Sequence, residues 1–536
     1  MQCTSPPPLD LRTARREAAQ RCASLRSDSG RRWLLLVSAV LGLAVTLGCA
    51  AQTIESRGRP GAPADAAGAT SVGGSSGSST DPWADQWIVE AEPDPDRPVT
   101  SAQDGRSTAP PTRPNESGGR STEGVARPLV RDFDDLLALP DAGVDPGFAN
   151  LLAAYESGFA TEDEVRATLR FLDEAARQAR RDLDLYDTRG NIGESTRRRY
   201  MRENAARLTQ YVVGSHGLGI GFDRTDPEGH NPDNLFLHRV LDRRRGYCVS
   251  ISFVALALAH RLQIDLAAVR VPSHMYVRFG SFGDPHRDQV AFEMTYGGVQ
   301  REDRSYRERY QVHPGALASG CYLVSLTPKE SVSDVLVNLG ALLLMDERYD
   351  EARTWLTRAT VADPANAQAH HNLAVLETRA EDLPAALRHY RRAIELDPGA
   401  YISWIFRGKL KIDAGDPARG FEDLDQAVRL RPEAPKAYAV RGAMRALQGD
   451  DDAARTDFAA ALERIDPSDP DHRRDEVRVV RNLAVIHLQA GEVEAAAEKI
   501  ERLTGLEPGH PDLPTLREAL ADVRSLTGTG AGRSAE

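Results

Sequence analysis

Three prolines, Pro364, Pro398 and Pro432, stand 34 residues apart (398 − 364 and 432 − 398). A fixed period of that length constrains the fold more than composition does, because each unit must repeat its neighbour's packing. Other positions keep the same period. Gly340, Ala374, Gly408 and Gly442 share one, and Ala352, Ala386, Gly420 and Ala454 share another. Ala359, Ala393, Ala427 and Ala461 share a third, and large residues recur at Leu356, Tyr390, Leu424 and Phe458. Small residues let paired helices approach closely, and a proline ends the second helix of each pair. After Pro467 the register is broken by "SDPDHRRDE" and returns with Ala484, Ala496 and Pro508. The step 508 − 432 is 76, two periods plus eight.

This pattern resembles tetratricopeptide repeat (TPR) proteins over five units, residues 331–523. The resemblance implies an all-α superhelix with a protein or peptide partner on its concave face. The other reading is that the repeats cap and stabilise the preceding domain. Arg407 and Arg441 recur at one repeat position, and Asn338, Asn372 and Asn482 at another. They either line the groove or solvate a helix face.

The chain has 536 residues, enough for two or three domains. Its net charge is −12, and no Lys/Arg block stands out past Arg32, so nucleic acid is not an expected partner. The five cysteines are Cys3, Cys22, Cys49, Cys248 and Cys321. They contain no CxxC pair and are too sparse for a disulfide scaffold. His216, His230, His238 and His260 lack ligand spacing, so no metal and no cofactor is expected.

At the N-terminus, Arg31 and Arg32 precede an apolar run from Trp33 to Gly48, which ends at Cys49. That order is a secretory signal. Gly48-Cys49 resembles the lipobox of bacterial lipoproteins, with Thr46 a departure from it. The resemblance implies lipidation at Cys49, a leader over 1–49, and a chain anchored in the cell envelope facing the periplasm or exterior. The rival is an uncleaved membrane anchor, although the run is short of the roughly 20 residues that span a bilayer. Residues 50–125 are rich in Gly, Ser, Pro, Ala and Asp and read as a disordered tether. Residues 524–536 read as a disordered tail. "WADQWIVEA" (Trp83–Ala91) is an apolar island with no assigned role.

Between residues 126 and 330 the pattern changes. "FANLLAAYESG", "EDEVRATLRFLDEAARQARRDL" and "RYMRENAARLTQYVV" have helical spacing. "LFLHRVLDRRR" reads as a short helix ending at Gly246. Cys248 then opens "SISFVALALAHRL", an apolar, buried helix. "DLAAVRVP" and "HMYVRF" read as strands. In the latter His274, Tyr276 and Arg278 point one way and Met275, Val277 and Phe279 the other. "VAFEMTYGG" reads as the next strand, a hairpin partner that brings Glu293 near His274. "SGCYLVSL" reads as a strand with Cys321 in its core. A Cys248–Cys321 disulfide is the reading that silences the thiol.

The residue types fit one chemistry. A helix N-terminus favours thiolate at Cys248. His274 can take the proton and return it, and Glu293 can fix its tautomer. Each alone is more often structural, since free cysteines are among the most buried residues. Arg-Gly-x-Cys before a helix, Pro-x-His before a strand and an acidic strand ending in Gly-Gly resemble the transglutaminase-like superfamily, in particular its SirB-type branch. The resemblance implies an α+β papain/transglutaminase-like fold with Cys248 as nucleophile, His274 as base and Glu293 as orienting carboxylate. Glu293 departs from the superfamily's usual Asp, so its reach must be shown. Asn234, or the backbone N–H of Cys248, is a candidate oxyanion donor. The implied activity is a cysteine hydrolase or acyl transferase on peptide or amide bonds. Relatives in the same branch that lack the cysteine leave a non-catalytic scaffold as the alternative.

Overall fold

The computed structural model describes residues 130–531, apart from 189–190, 227–230, 281–288 and 468. The leader, Cys49, the tether, the Trp83–Ala91 island and His230 lie outside the described residues. Among the described residues no helix is long and apolar enough to cross a membrane.

The domain begins with helices α1 (Phe133–Ala138), α2 (Pro146–Glu156), α3 (Glu162–Asp182) and α4 (Glu194–Val213). Thr161 opens α3 with a capping box, exchanging hydrogen bonds with Glu164. A two-residue strand β1 (Gly221–Phe222) and helix α5 (Leu237–Arg243) follow, then β2 (Arg245–Gly246), which pairs parallel to β1. Helix α5 does not end on a left-handed Gly246; Arg244 takes that conformation, with φ 52°. Gly246 is needed for space, since a Cβ there would lie 2.5 Å from Ser250 Oγ.

Helix α6 (Cys248–Leu262) is apolar all round and therefore central. Helices α2, α3 and α4 pack around it, and a sheet covers its remaining side. That antiparallel sheet has the order β6-β5-β4-β3-β7, from β3 (Ala267–Val271), β4 (His274–Phe279), β5 (Val290–Glu293), β6 (Val299–Arg301) and β7 (Ser325–Leu326). Met275, Val277 and Phe279 join the core of α6, whereas Tyr276 joins the cluster on the opposite face with Val269 and Val271. Both faces are buried, so β4 has no solvent side.

Two expected strands are shorter than their sequences suggest. β5 stops at Glu293, whose carboxylate accepts from Thr295 N and turns the chain into a 3-10 turn, Met294–Tyr296. β7 begins only at Ser325, leaving Cys321 in a buried bend before it. Cys321 packs with Val269 and Tyr276, across the sheet from the core that holds Cys248. Neither cysteine is in a disulfide, so the disulfide reading does not hold.

Helices α7 (Asp303–Arg309) and α8 (Pro314–Ala318) lie between β6 and β7. The repeats follow as the pairs α9 (Pro328–Met345) with α10 (Tyr349–Ala362), α11 (Ala367–Arg379) with α12 (Leu383–Leu396), and α13 (Tyr401–Asp413) with α14 (Pro417–Leu430). The pairs α15 (Pro435–Leu447) with α16 (Asp451–Leu462) and α17 (Pro470–Ala490) with α18 (Val493–Leu506) complete five, and α19 (Leu513–Ala531) closes the array. The expected tail is therefore helical over 524–531, where α19 continues. The eight-residue excess is absorbed by α17, which has 21 residues where α11, α13 and α15 have 13 each. Arg407 and Arg441 brace helix pairs rather than stand free. Each reaches an aspartate sixteen positions on, Asp423 at 2.8 Å and Asp457 at 2.6 Å.

The core does not stop at residue 330. Val332, Leu336, Leu339, Trp355 and Leu373 belong to the same cluster as α6. Arg270 of β3 reaches across with a bidentate pair to Asp334 (2.7 Å twice) and a third bond to Asp363 (2.8 Å). These carboxylates hold the buried guanidinium charged against the cost of burial.

Candidate active site

Helix α6 starts where it does because its first turn is tied down. Tyr247 N–H donates to Ser250 Oγ at 2.9 Å, and Ser250 Oγ–H donates to Asn234 O at 2.6 Å. Cys248, the first helical residue, is 2% exposed. Tyr247 beside it packs on Ala341 of α9, so the first repeat supports the wall behind the thiol.

His274 opens β4, at the end of the sheet beside the start of α6. Its Nε2 lies 2.8 Å from Glu293 Oε2. The Cys248 thiol is within hydrogen-bonding reach of the same ring. The ring is thus shared between Glu293, at Nε2, and Cys248. The ladder between β4 and β5 ends at Val277 opposite Phe292, so Glu293 falls level with Tyr276 and His274 lies diagonally beyond it. The longer arm of Glu spans that diagonal.

Glu293 is held on every side. Oε2 also accepts from Tyr306 Oη at 3.1 Å, and Oε1 accepts from Thr295 N at 3.1 Å and Thr295 Oγ1 at 2.6 Å. Burial alone would raise its pKa, but His274 and these donors hold the carboxylate well below its usual range. Burial alone would lower the pKa of His274. Glu293 and Cys248 outweigh it and raise the imidazole's affinity for a proton. The arrangement therefore favours an imidazolium, with the Glu293 carboxylate on one side and the Cys248 sulfur on the other.

The structure thus gathers Cys248, His274 and Glu293. It commits Asn234 elsewhere: its side chain donates to Asp226 (3.3 Å) and accepts from Arg243 (3.1 Å). Two residues that the sequence reading passed over belong to the site. Tyr310 stacks on His274 with ring centroids 5.2 Å apart and planes 9° apart. Tyr306 stacks on Tyr276 at 3.9 Å. Their spacing in "YRERY", four residues apart, from the last turn of a short helix to its C-cap, is the signal that would have found them. Cys321 contributes nothing here, since burial pushes its thiol up to about 12.

A cleft of about 80 Å³ opens over His274, Glu293, Thr295, Tyr306 and Tyr310. Cys248 lies behind this wall and not on its surface. A thiol paired with an orientable imidazole can attack a carbonyl carbon, and the ring can protonate a leaving amine. Among the described residues no His, Cys, Asp or Glu cluster is placed to hold a metal ion.

Comparisons with known proteins agree with this architecture. Residues 166–330 match the transglutaminase-like superfamily, and residues 333–401 and 407–470 match the tetratricopeptide repeat. A UPF0162 protein of Xylella fastidiosa is 24% identical over 197 residues, 36% of this chain and 68% of that protein. Tetratricopeptide repeat protein 36 of Danio rerio is 39% identical over 87 residues, 15% of this chain and 46% of its own length. The crystal structure of YrrB, a TPR protein described as having an unusual peptide-binding site, is 20% identical with a TM-score of 0.26, covering 34% of this chain and 91% of that one. The chain therefore carries a domain of the transglutaminase-like superfamily followed by tetratricopeptide repeats.

Proposed function

We propose that the transglutaminase-like domain is a thiol-dependent hydrolase or acyl transferase acting on peptide or amide bonds. One observation carries this reading: the His274 ring is shared between Cys248 and a fully hydrogen-bonded Glu293. In the proposed cycle the Cys248 thiolate, paired with the His274 imidazolium, attacks the carbonyl carbon and forms a C–S bond. The C–N bond breaks, and the His274 proton goes to the leaving amine. Water, or an acceptor amine, then attacks the thioester while His274 takes its proton; the C–S bond breaks, the acyl product leaves, and the thiolate–imidazolium pair is restored. Glu293 fixes the ring and supports its charge. The backbone N–H of Cys248, at the first position of α6, is the donor best placed for the oxyanion.

The repeats bring a protein or peptide partner to this domain, as TPR arrays generally do. The order Arg31-Arg32, apolar run, Gly48-Cys49 supports anchoring in the cell envelope through a lipidated Cys49. Mass spectrometry of the mature N-terminus tests that: an acylated Cys49 is expected, and an intact Met1 defeats it.

The depth of Cys248, 2% exposed behind the cleft wall, favours a second reading, a non-catalytic scaffold that keeps the fold for binding. Alkylation by iodoacetamide across pH separates the two. A working site labels Cys248 well below the ordinary thiol pKa of about 8.5 and faster than a model thiol. Labelling no faster than the model thiol, and only near that pH, defeats the enzyme reading.

A further inference from the structure

The walls of the cleft over His274 carry a charge opposite to that of the chain. Arg224 follows β1, Arg301 ends β6 and Arg309 ends α7, and all three line the opening. Glu293 is the one carboxylate among the described lining residues, and its oxygens are already taken by His274, Tyr306 and Thr295. Arg224 and Arg301 are exposed, and among the described residues neither forms an ion pair with an acidic side chain. Most other arginines near the domain do pair, as Arg243 with Asp223, Arg261 with Asp145 and Arg278 with Asp303. Arg309 lies 5.7 Å from the Tyr310 ring centroid, so one arginine and the ring stacked on His274 share a wall. The chain as a whole has a net charge of −12. Arginines converging on a concave opening in an otherwise acidic molecule focus field lines that draw anions. Guanidinium groups match the planar geometry of carboxylates.

We propose that this cleft selects acyl substrates bearing a carboxylate close to the attacked bond. The proposal rests on the thiol reading of Cys248 and names the substrate class of that same site. The carboxylate belongs either to an acidic side chain or to a peptide C-terminus. The arginines line the same cleft as His274, which places the recognised carboxylate on the residue beside the scissile amide.

The test compares two alkylating agents that differ in charge. Iodoacetate carries a carboxylate, and iodoacetamide of similar size does not. At low ionic strength the iodoacetate-to-iodoacetamide rate ratio at Cys248 in the full chain is expected to exceed that of free cysteine by about threefold or more. It should fall towards the free-cysteine value in 1 M salt, where charges are screened within about 3 Å, and in Arg224→Gln/Arg301→Gln. A ratio equal to that of free cysteine, with both agents labelling, overturns the selection while leaving the thiol reading intact. If neither agent labels Cys248, the thiol reading fails and the cleft is judged by calorimetry instead. There N-acetyl-glycyl-glycine should bind more tightly than its C-terminal amide, and the double variant should lose the difference. N-acetyl-glutamyl-glycine amide distinguishes a side-chain carboxylate from a terminal one. Equal binding of all three peptides overturns the proposal.

Discussion

His274 sits between two groups that both favour its protonated form, and this gives the protein a pH signature. Its pKa is raised to about 10, against about 6.5 for an unfolded histidine. A raised pKa contributes stability that is fully present below the unfolded value and is lost as pH rises through the folded one. Glu293 is lowered to about 2, so its contribution is present above its unfolded value of about 4.3 and is lost as pH falls towards 2. The pair therefore stabilises most between about pH 4.5 and 6.5. The advantage of wild type over His274→Gln in thermal midpoint should shrink from pH 6 to pH 9.5. An advantage that stays constant over that range would show that the ring is not held as an imidazolium. At this scale the sequence named Cys248, His274 and Glu293 from residue type and order. It did not indicate how Glu293 reaches, because that depends on a strand register and a turn at Thr295.

The helix pairs of the repeats approach as closely as their glycines allow. A Cβ at Gly408 would lie 2.7 Å from Gly420 O and 3.0 Å from Asp423 Cβ, and backbone cannot swing away. Gly408→Ala should destabilise by about 1–3 kcal/mol, the usual result of overpacking. Gly505 is also helical, but nothing lies within 4 Å of its added Cβ. Gly505→Ala should stabilise by about 0.5–1 kcal/mol through helix propensity. Denaturant midpoints of the two variants check this. Equal shifts would mean that propensity, not contact, decides both. The small positions were readable from the period alone, as was an eight-residue excess, but not that this excess lengthens α17. The role of Arg407 and Arg441 was not, because a period cannot say whether a charge faces a groove or an aspartate on the next helix.

Across the whole molecule, the first two repeats complete the core of the domain before them. Leu336, Leu339 and Trp355 cover α6 and its neighbours, Ala367 and Leu396 cover the far face of the sheet, and Arg270 is neutralised from α9. A fragment of residues 130–330 would expose that apolar surface and strip Arg270 of both its carboxylate partners, Asp334 and Asp363. It should fail to give a cooperative thermal transition by circular dichroism. A fragment of residues 130–447, which keeps both clusters intact, should give one. A cooperative transition from the shorter fragment would show that the repeats are an independent appendage.

Periodicity and residue order are local properties, and from them the sequence by itself determined the helix pairs, the buried α6 and the order Cys, His, Glu. Tertiary structure alone decided the rest. It stacked Tyr310 on His274, set Cys321 across the sheet from Cys248, tied Asn234 to Asp226 and Arg243, and turned arginines from three elements towards one cleft. Each of these depends on which side chains from distant parts of the chain share a surface. That is fixed by how the sheet and the first repeat pack on α6, and no spacing along the chain records it.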